Sequence, residues 1–249
     1  MPENTTKKTE FRERRYRHLV SPQGFISFQV RVKETDLFIR ATRDLTEKTR
    51  EAILRYRYQI EYYISQHPDF YRTLIPFPED EFAPAIIRAM VQAGRAAGVG
   101  PMAAVAGAVA EFVGRELLPL SPEITIENGG ALFISTASEV RVGIFAGASP
   151  LSLRLGWRVP PRNGGWGLCT SSGTVGPSLS FGKADAVCVL APSAALADAA
   201  ATAIGNVIVS AEDVPQGLES AKKIPGICGV VVIVSDKLGA WGEVELTEI

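Results

Sequence analysis

Residues 123–136 read Glu-Ile-Thr-Ile-Glu-Asn-Gly-Gly-Ala-Leu-Phe-Ile-Ser-Thr, two β-prone runs on either side of Asn128-Gly129-Gly130. β-branched and aromatic residues favour strands, and paired glycines after Asn are typical of a two-residue hairpin turn. The stretch therefore predicts two antiparallel strands. Glycines between strands also let a ligand or a second backbone approach closely, so the turn is a candidate binding site as well as a hairpin.

Similar short runs recur along the chain between clusters of Gly, Ser and Pro. Several such runs at close spacing indicate a meandering antiparallel sheet, and the first two indicate a hairpin near the N-terminus. Strands are predicted at residues 25–32, 37–41, 123–128, 131–136, 140–146, 151–159, 167–172, 184–190, 229–234 and 240–246.

Helical signals fill the intervals between these strands. Asp44 and Glu47 have the spacing of a capping box, and Pro68 closes the helix that begins there, whereas the four prolines of 68–84 predict an irregular segment. Helices are predicted at residues 44–67, 84–97, 101–118, 193–209 and 216–223. The sequence thus predicts an α+β protein whose largely antiparallel or mixed sheets pack against several helices.

Length and composition are those of an ordinary globular domain. The chain has 249 residues, of which 46% are hydrophobic and 21% charged, enough to bury a full core. Residues 1–17 are polar and charged and are predicted to form a tail, with residues 18–249 forming a single domain. The formal net charge of -1 argues against nucleic-acid binding.

The apolar stretch 99–113 is too short to span a membrane, and the first eighteen residues lack the apolar core of a secretory signal. The cysteines, Cys169, Cys188 and Cys228, follow no metal-ligand spacing and fit reduced thiols. We therefore expect a cytoplasmic protein that binds neither membrane nor nucleic acid. Its antiparallel edge strands would suit a homodimer.

Thr170-Ser171-Ser172-Gly173 follows a predicted strand. Hydroxyl groups and unencumbered backbone N–H groups at such a turn can bind an anion, which makes this segment a candidate phosphate site. The alternative is that Ser and Gly only form a tight turn.

Asp198 and Thr202 lie four residues apart on the predicted alanine-rich helix, so their side chains share a face. Mg²⁺ prefers oxygen ligands and keeps several waters, and one carboxylate, one hydroxyl and a ligand pyrophosphate would suit it. The alternative is a solvated Asp198 beside a Thr202 that fills the core.

Together these segments resemble the ApbE superfamily, the FAD- and Mg²⁺-dependent protein flavin transferases, and more closely its ApbE-related branch. The resemblance covers approximately residues 90–249. It rests on the stretches 99–107, 127–130, 170–173 and 197–202.

In the transferases, the glycine pair contacts flavin, the T-S-G turn lies beside the cofactor, and the A-D-A-x-A-T helix supplies metal ligands. The resemblance therefore implies FAD or FMN and Mg²⁺ as cofactors, a flavin or other phosphate-bearing small molecule as partner, and FMN transfer from FAD onto a threonine of an acceptor protein. It implies cofactor contacts at Asn128, Gly129, Gly130, Thr170, Ser171, Ser172 and Gly173, and metal ligands at Asp198 and Thr202.

This chain departs from the transferases between the T-S-S-G turn and the alanine-rich helix, where the transferases carry a histidine-bearing segment. The only histidines are His18 and His67. Three expectations follow: a ligand site without transfer chemistry, a transferase with another base such as Asp185 or Asp198, or a non-catalytic accessory or partner-binding protein with a vestigial site.

Overall fold

An eight-stranded sheet lies at the centre of the computed structural model, which describes residues 24–175 and 180–249. The strand order is β1-β2-β3-β4-β7-β8-β9-β10, and all neighbouring pairs are antiparallel. The strands are β1 (Ile26–Val32), β2 (Thr35–Ala41), β3 (Ile124–Asn128), β4 (Ala131–Ser135), β7 (Trp166–Ser171), β8 (Ala186–Ala191), β9 (Gly229–Val234) and β10 (Lys237–Gly242). The predicted charged tail, residues 1–17, lies outside the described residues, and the single-domain assignment stays a prediction.

A second, three-stranded sheet has the order β11-β6-β5. Its strands are β5 (Val140–Gly143), β6 (Leu155–Val159) and β11 (Leu246–Glu248). The prediction of one continuous meander was therefore wrong, although the antiparallel pairing is confirmed. The reason lies in β8 and β9, which are buried at every position and so need cover on both faces.

The helices cover one face of the large sheet. They are α1 (Thr46–Gln66), α2 (Pro68–Arg72), α3 (Ala85–Ala97), α4 (Val105–Leu117), α5 (Ala194–Asn206) and α6 (Val214–Ala221). A 3₁₀ turn, Pro101–Ala104, leads into α4. α4 packs on β3 and β4, while α5 packs on β7 and β8. The predicted α+β class is confirmed.

Side chains of β7 and β8 alternate between two buried clusters. Cys169 and Val187 face α5, whereas Leu168 and Cys188 face the small sheet, where they pack with Trp157. This alternation follows from the two-residue period of a strand. It decides which residues at the ends of these strands share a face.

Three local predictions were wrong. Asp44 forms no capping box, because its Oδ1 accepts from the backbone and hydroxyl of Thr46 while Leu45 occupies the N-cap. The segment 68–84 contains α2 and is not wholly irregular. The predicted strand 240–246 is divided between β10 and β11, which belong to different sheets.

Within the described residues, no individual helix has both the length and the apolarity of a membrane span. α3 and the segment Pro101–Leu117 together meet that test by length and composition, with a bend of 107° between them.

Candidate functional site

The hairpin turn of β3 and β4 is formed by Gly129 and Gly130, with φ angles of 63° and 102°. Positive φ at both central residues is the conformation of a type I′ turn, which glycine adopts without strain. Glu127 Oε1 accepts a hydrogen bond of 2.9 Å from Gly130 N, and Gly130 O accepts one of 3.0 Å from Thr170 N. The hairpin geometry by itself accounts for the glycines, and it places them beside Thr170.

Asn128 and Asp198 both form hydrogen bonds with the backbone at the N-terminus of α4. Asn128 Nδ2 donates to Ala106 O at 3.1 Å, and Gly107 N donates to Asp198 Oδ2 at 2.8 Å. The peptide between Ala106 and Gly107 is therefore held by the hairpin on one side and by α5 on the other. Two segments that the sequence places 70 residues apart converge on this peptide.

The four residues of the T-S-S-G turn do not share one environment. Thr170 Oγ1 lies 2.8 Å from Cys188 Sγ, on the face of β7 that the small sheet covers. Ser171 lies on the opposite face, since its Oγ is 3.8 Å from the position that a Cβ on Gly205 of α5 would take. Ser171 therefore shares a face with α5, and the Thr170 hydroxyl does not.

Ser172 and Gly173 have local structural roles. Ser172 Oγ accepts from Thr174 N at 3.1 Å and from Val175 N at 2.9 Å, which is a side-chain-stabilised turn. A Cβ on Gly173 would lie 2.1 Å from Gly182 O, so two stretches of backbone approach closely there. These contacts support the tight-turn interpretation for both residues.

Asp198 is half-buried beneath the start of α4. Burial raises the pKa of its carboxyl group to about 7, and hydrogen bonds from the backbone amides of Gly107 and Ala106 oppose that shift. Thr202 lies one turn further along α5 and is also half-buried. A cation beside this pair would favour the ionised form of Asp198.

Among residues 24–175 and 180–249, no group of three or more His, Cys, Asp and Glu side chains could hold a metal ion. Asp198 and Thr202 supply one carboxylate and one hydroxyl. Magnesium bound there would take its other ligands from water, backbone carbonyls and the phosphates of a ligand, which is its usual coordination. The donor set fits Mg²⁺ bound together with a phosphate ligand.

Sequence reasoning missed Glu111, a carboxylate with 6% exposure at the crossing of α4 and α5. Its Oε2 accepts from Ser193 Oγ at 2.8 Å and from Ala194 N at 2.7 Å, so it caps α5 from outside the helix. Glu111 follows Gly107 by four residues on α4, a spacing that puts both on one face. The four-residue spacing from Gly107 was the sequence signal that could have pointed to Glu111.

The buried thiols adjoin this region without being reactive. Burial raises the pKa of the Cys169 thiol well above its usual value, and the negative charge of Asp198 raises it further. Its Sγ donates to Ala194 O at 3.3 Å. Burial also raises the pKa of Cys188 to about 12. Both sulfurs are therefore protonated at neutral pH and pack as small apolar groups.

Comparison with known proteins identifies the family of the chain and structures with a similar fold. The family described as AbpE bacteria matches residues 17–239, which is most of the chain. The chain belongs to this family. The AbpE-family chain is also 40% identical over 222 residues to a UPF0280 protein of Methanococcus aeolicus, covering 87% of this chain and 90% of the relative. It is 40% identical over 219 residues to UPF0280 protein MJ1526 of Methanocaldococcus jannaschii, covering 86% and 89%.

Solved structures similar to the AbpE-family chain include flavin transferases. The apo form of the flavinyl transferase ApbE of Pseudomonas stutzeri aligns with a TM-score of 0.58 at 15% identity, covering 88% of this chain and 94% of that one. The flavin transferase ApbE of Vibrio cholerae aligns with a TM-score of 0.54 at 10% identity, covering 89% and 97%. The resemblance to the ApbE superfamily is thus confirmed at the level of fold and family.

Proposed function

We propose that the chain binds a flavin nucleotide, FAD or FMN, where the β3–β4 hairpin, the end of β7 and the half-buried face of α5 that carries Asp198 meet. The observation that carries this proposal is the continuous set of hydrogen bonds from Asn128 through the Ala106–Gly107 peptide to Asp198. A second contact joins Gly130 to Thr170. Stretches distant along the chain therefore adjoin one another, as a single site requires.

Asp198 and Thr202 are the proposed Mg²⁺ ligands, and bound Mg²⁺ would neutralise charge on the pyrophosphate of FAD. Gly129 and Gly130 would let the ligand approach the backbone closely, and Ser171 would offer a hydroxyl on the face that α5 shares. Asn128 contributes indirectly because its side chain holds Ala106 O. The similarity in fold to flavin transferases supports flavin as the ligand class.

The test is titration of the purified protein with FAD and with FMN, with and without Mg²⁺, followed by flavin fluorescence and melting temperature. We expect fluorescence quenching and a higher melting temperature, both stronger for FAD with Mg²⁺ because the ligand stabilises the folded state that binds it. Thr202→Val keeps the side-chain shape and removes the hydroxyl ligand. Thr202→Val should weaken FAD binding in the presence of Mg²⁺ but not in its absence. Thr125→Val on β3 should leave FAD binding unchanged in both conditions.

No response to FAD, FMN or other nucleotides would overturn the proposal and favour an accessory protein with a vestigial site. Transfer chemistry is a separate question, because FMN transfer also needs a base. Asp185 is a candidate because of its place beside the T-S-S-G turn, where its oxygens accept from Thr174 Oγ1 at 2.9 Å and Ser235 N at 2.7 Å. Intact mass measurement of candidate acceptor proteins, after incubation with the chain, FAD and Mg²⁺, detects FMN added to a threonine.

A further inference from the structure

Helices α4 and α5 cross through two pairs of contacts. Gly107 N donates to Asp198, and Glu111 accepts from Ala194 N. Gly107 and Glu111 are four residues apart on α4, and Ala194 and Asp198 are four residues apart on α5. Both contacts therefore lie on the facing sides of the two helices. A Cβ on Gly107 would lie 2.1 Å from Ala194 O, which shows how closely the backbones approach. Each helix thus supplies the carboxylate that satisfies backbone N–H groups at the start of the other.

Glu111 holds the start of α5 through several bonds. Besides Ser193 Oγ and Ala194 N, Ala195 N donates to Oε2 at 3.4 Å, and Arg115 Nε donates to Oε1 at 2.9 Å. A negative charge at a helix N-terminus is favourable, and this one is almost fully buried. A carboxylate fixed by so many donors leaves the first turn of α5 little freedom to shift.

We propose that Glu111 is a positioning residue for Asp198, a role that bears on the ligand site only if the proposed function holds. Asp198 follows Ala194 by one helical turn, so a displacement of Ala194 carries Asp198 with it. Glu111 therefore fixes the distance between the Asp198 carboxylate, the Gly107 amide and the hairpin. Glu111 is not among the proposed ligand or metal contacts, and its oxygens accept from Ser193, Ala194, Ala195 and Arg115.

The first test needs no ligand. Hydrogen exchange of the Gly107 amide, whose acceptor is Asp198, reports the contact directly. We expect exchange to be about tenfold faster in Glu111→Ala, because donors left without the buried Glu111 carboxylate make local opening of the α4–α5 contact easier. Glu111→Gln retains an oxygen acceptor and should restore slow exchange. Arg115→Ala removes the donor to Glu111 Oε1 and the contact of Arg115 with the Phe133 ring but leaves the bonds from Glu111 Oε2 to α5, so the exchange of the Gly107 amide should stay unchanged.

Unchanged Gly107 exchange in Glu111→Ala, or equally fast exchange in the Gln variant, would overturn the positioning role. Glu111→Asp gives the same test if the alanine variant does not fold, because it keeps the charge but shortens the reach by one methylene. Ile39→Val in the buried core of β2, which touches neither Gly107 nor Glu111 through a hydrogen bond, controls for general destabilisation. It should leave the exchange of Gly107 relative to the rest of α4 unchanged.

The second test uses FAD in Mg²⁺ with the same variants. The dissociation constant should rise by about tenfold in Glu111→Ala, recover in Glu111→Gln and stay unchanged in Ile39→Val. Equal affinity of wild type and Glu111→Ala would overturn the positioning role. A wild-type protein that binds no flavin but shows the expected exchange pattern would refute the proposed function and leave the positioning role supported.

Discussion

The Asp198 carboxylate accepts a hydrogen bond of 2.8 Å from the backbone amide of Gly107, across 91 residues of sequence. The contact satisfies an N–H group at the start of α4 that has no partner within its own helix. It also occupies one oxygen of a proposed metal ligand. Helix capping and the proposed metal binding therefore involve the same side chain.

Substituting alanine for Gly107 should destabilise the protein by about 1–3 kcal/mol, because the new Cβ would lie 2.1 Å from Ala194 O and force α4 and α5 apart. Gly205→Ala on α5 is the matched control. The nearest atom outside its own helix would lie 3.8 Å from the new Cβ, and alanine favours a helix more than glycine does. Chemical denaturation of both variants measures the difference, and equal stabilities would refute the close approach.

Asp198→Asn should raise the melting temperature in chelator at pH 8 and have a smaller effect at pH 5. The folded-state pKa of about 7 lies above the usual 3.8, so the folded protein holds this proton more strongly than the unfolded chain. Between those values, stability falls as pH rises, and above pH 7 the full cost of ionisation is present. Asparagine cannot ionise and still accepts from Gly107. Each kcal/mol recovered corresponds to about 2–4 °C for a chain of this size.

Melting curves of both proteins from pH 4 to pH 9 provide the measurement. A difference in melting temperature that stays constant over this range would contradict the raised pKa of Asp198. Mg²⁺ should reduce the loss of stability at high pH in the wild-type protein but not in Asp198→Asn, because only the wild-type carboxylate would bind the cation.

Gly129→Asn should leave stability within about 0.5 kcal/mol of wild type, because Asn tolerates positive φ, whereas Gly129→Val should cost more than 1 kcal/mol. The asparagine variant separates two roles of the turn. Full stability with weaker FAD binding would assign Gly129 to ligand approach. Full stability with unchanged binding would leave it only the role of a hairpin residue.

Cys228 should react with iodoacetamide well before Cys169 and Cys188 in the native protein at pH 8. Cys228 is half-buried, whereas the other two are buried with strongly raised pKa values, and only the thiolate reacts. Peptide mass spectrometry before and after denaturation gives the order of modification. Native Cys169 labelling as fast as that of Cys228 would show that the α5 side of β7 opens to solvent.

Local patterns predicted most of the elements. The β3–β4 hairpin follows from Asn128-Gly129-Gly130, and helix α5 follows from an alanine-rich segment that Ser193 caps through Leu196 N. Such patterns depend on neighbours within a few residues. They fail where a partner is remote, as when Leu246–Glu248 pairs with β6 instead of continuing from β10.

The candidate site was predicted only as separate pieces. Sequence spacing put Asp198 and Thr202 on one helix face, but it treated Thr170 and Ser171 alike. In the structure their side chains lie on opposite faces of β7, because side chains of a strand alternate. Which face meets α5 depends on the packing of two layers against the sheet.

The sequence by itself determined the hairpin, the longer helices and the family resemblance, because propensity, periodicity and turn chemistry act over short distances. Only the tertiary structure decided that Gly107 meets Asp198 and that Glu111 meets Ala194. Those contacts join residues 91 and 83 positions apart. They form because two helices packed on one sheet face bring unsatisfied backbone groups of one within reach of a carboxylate on the other, a match that no local pattern encodes.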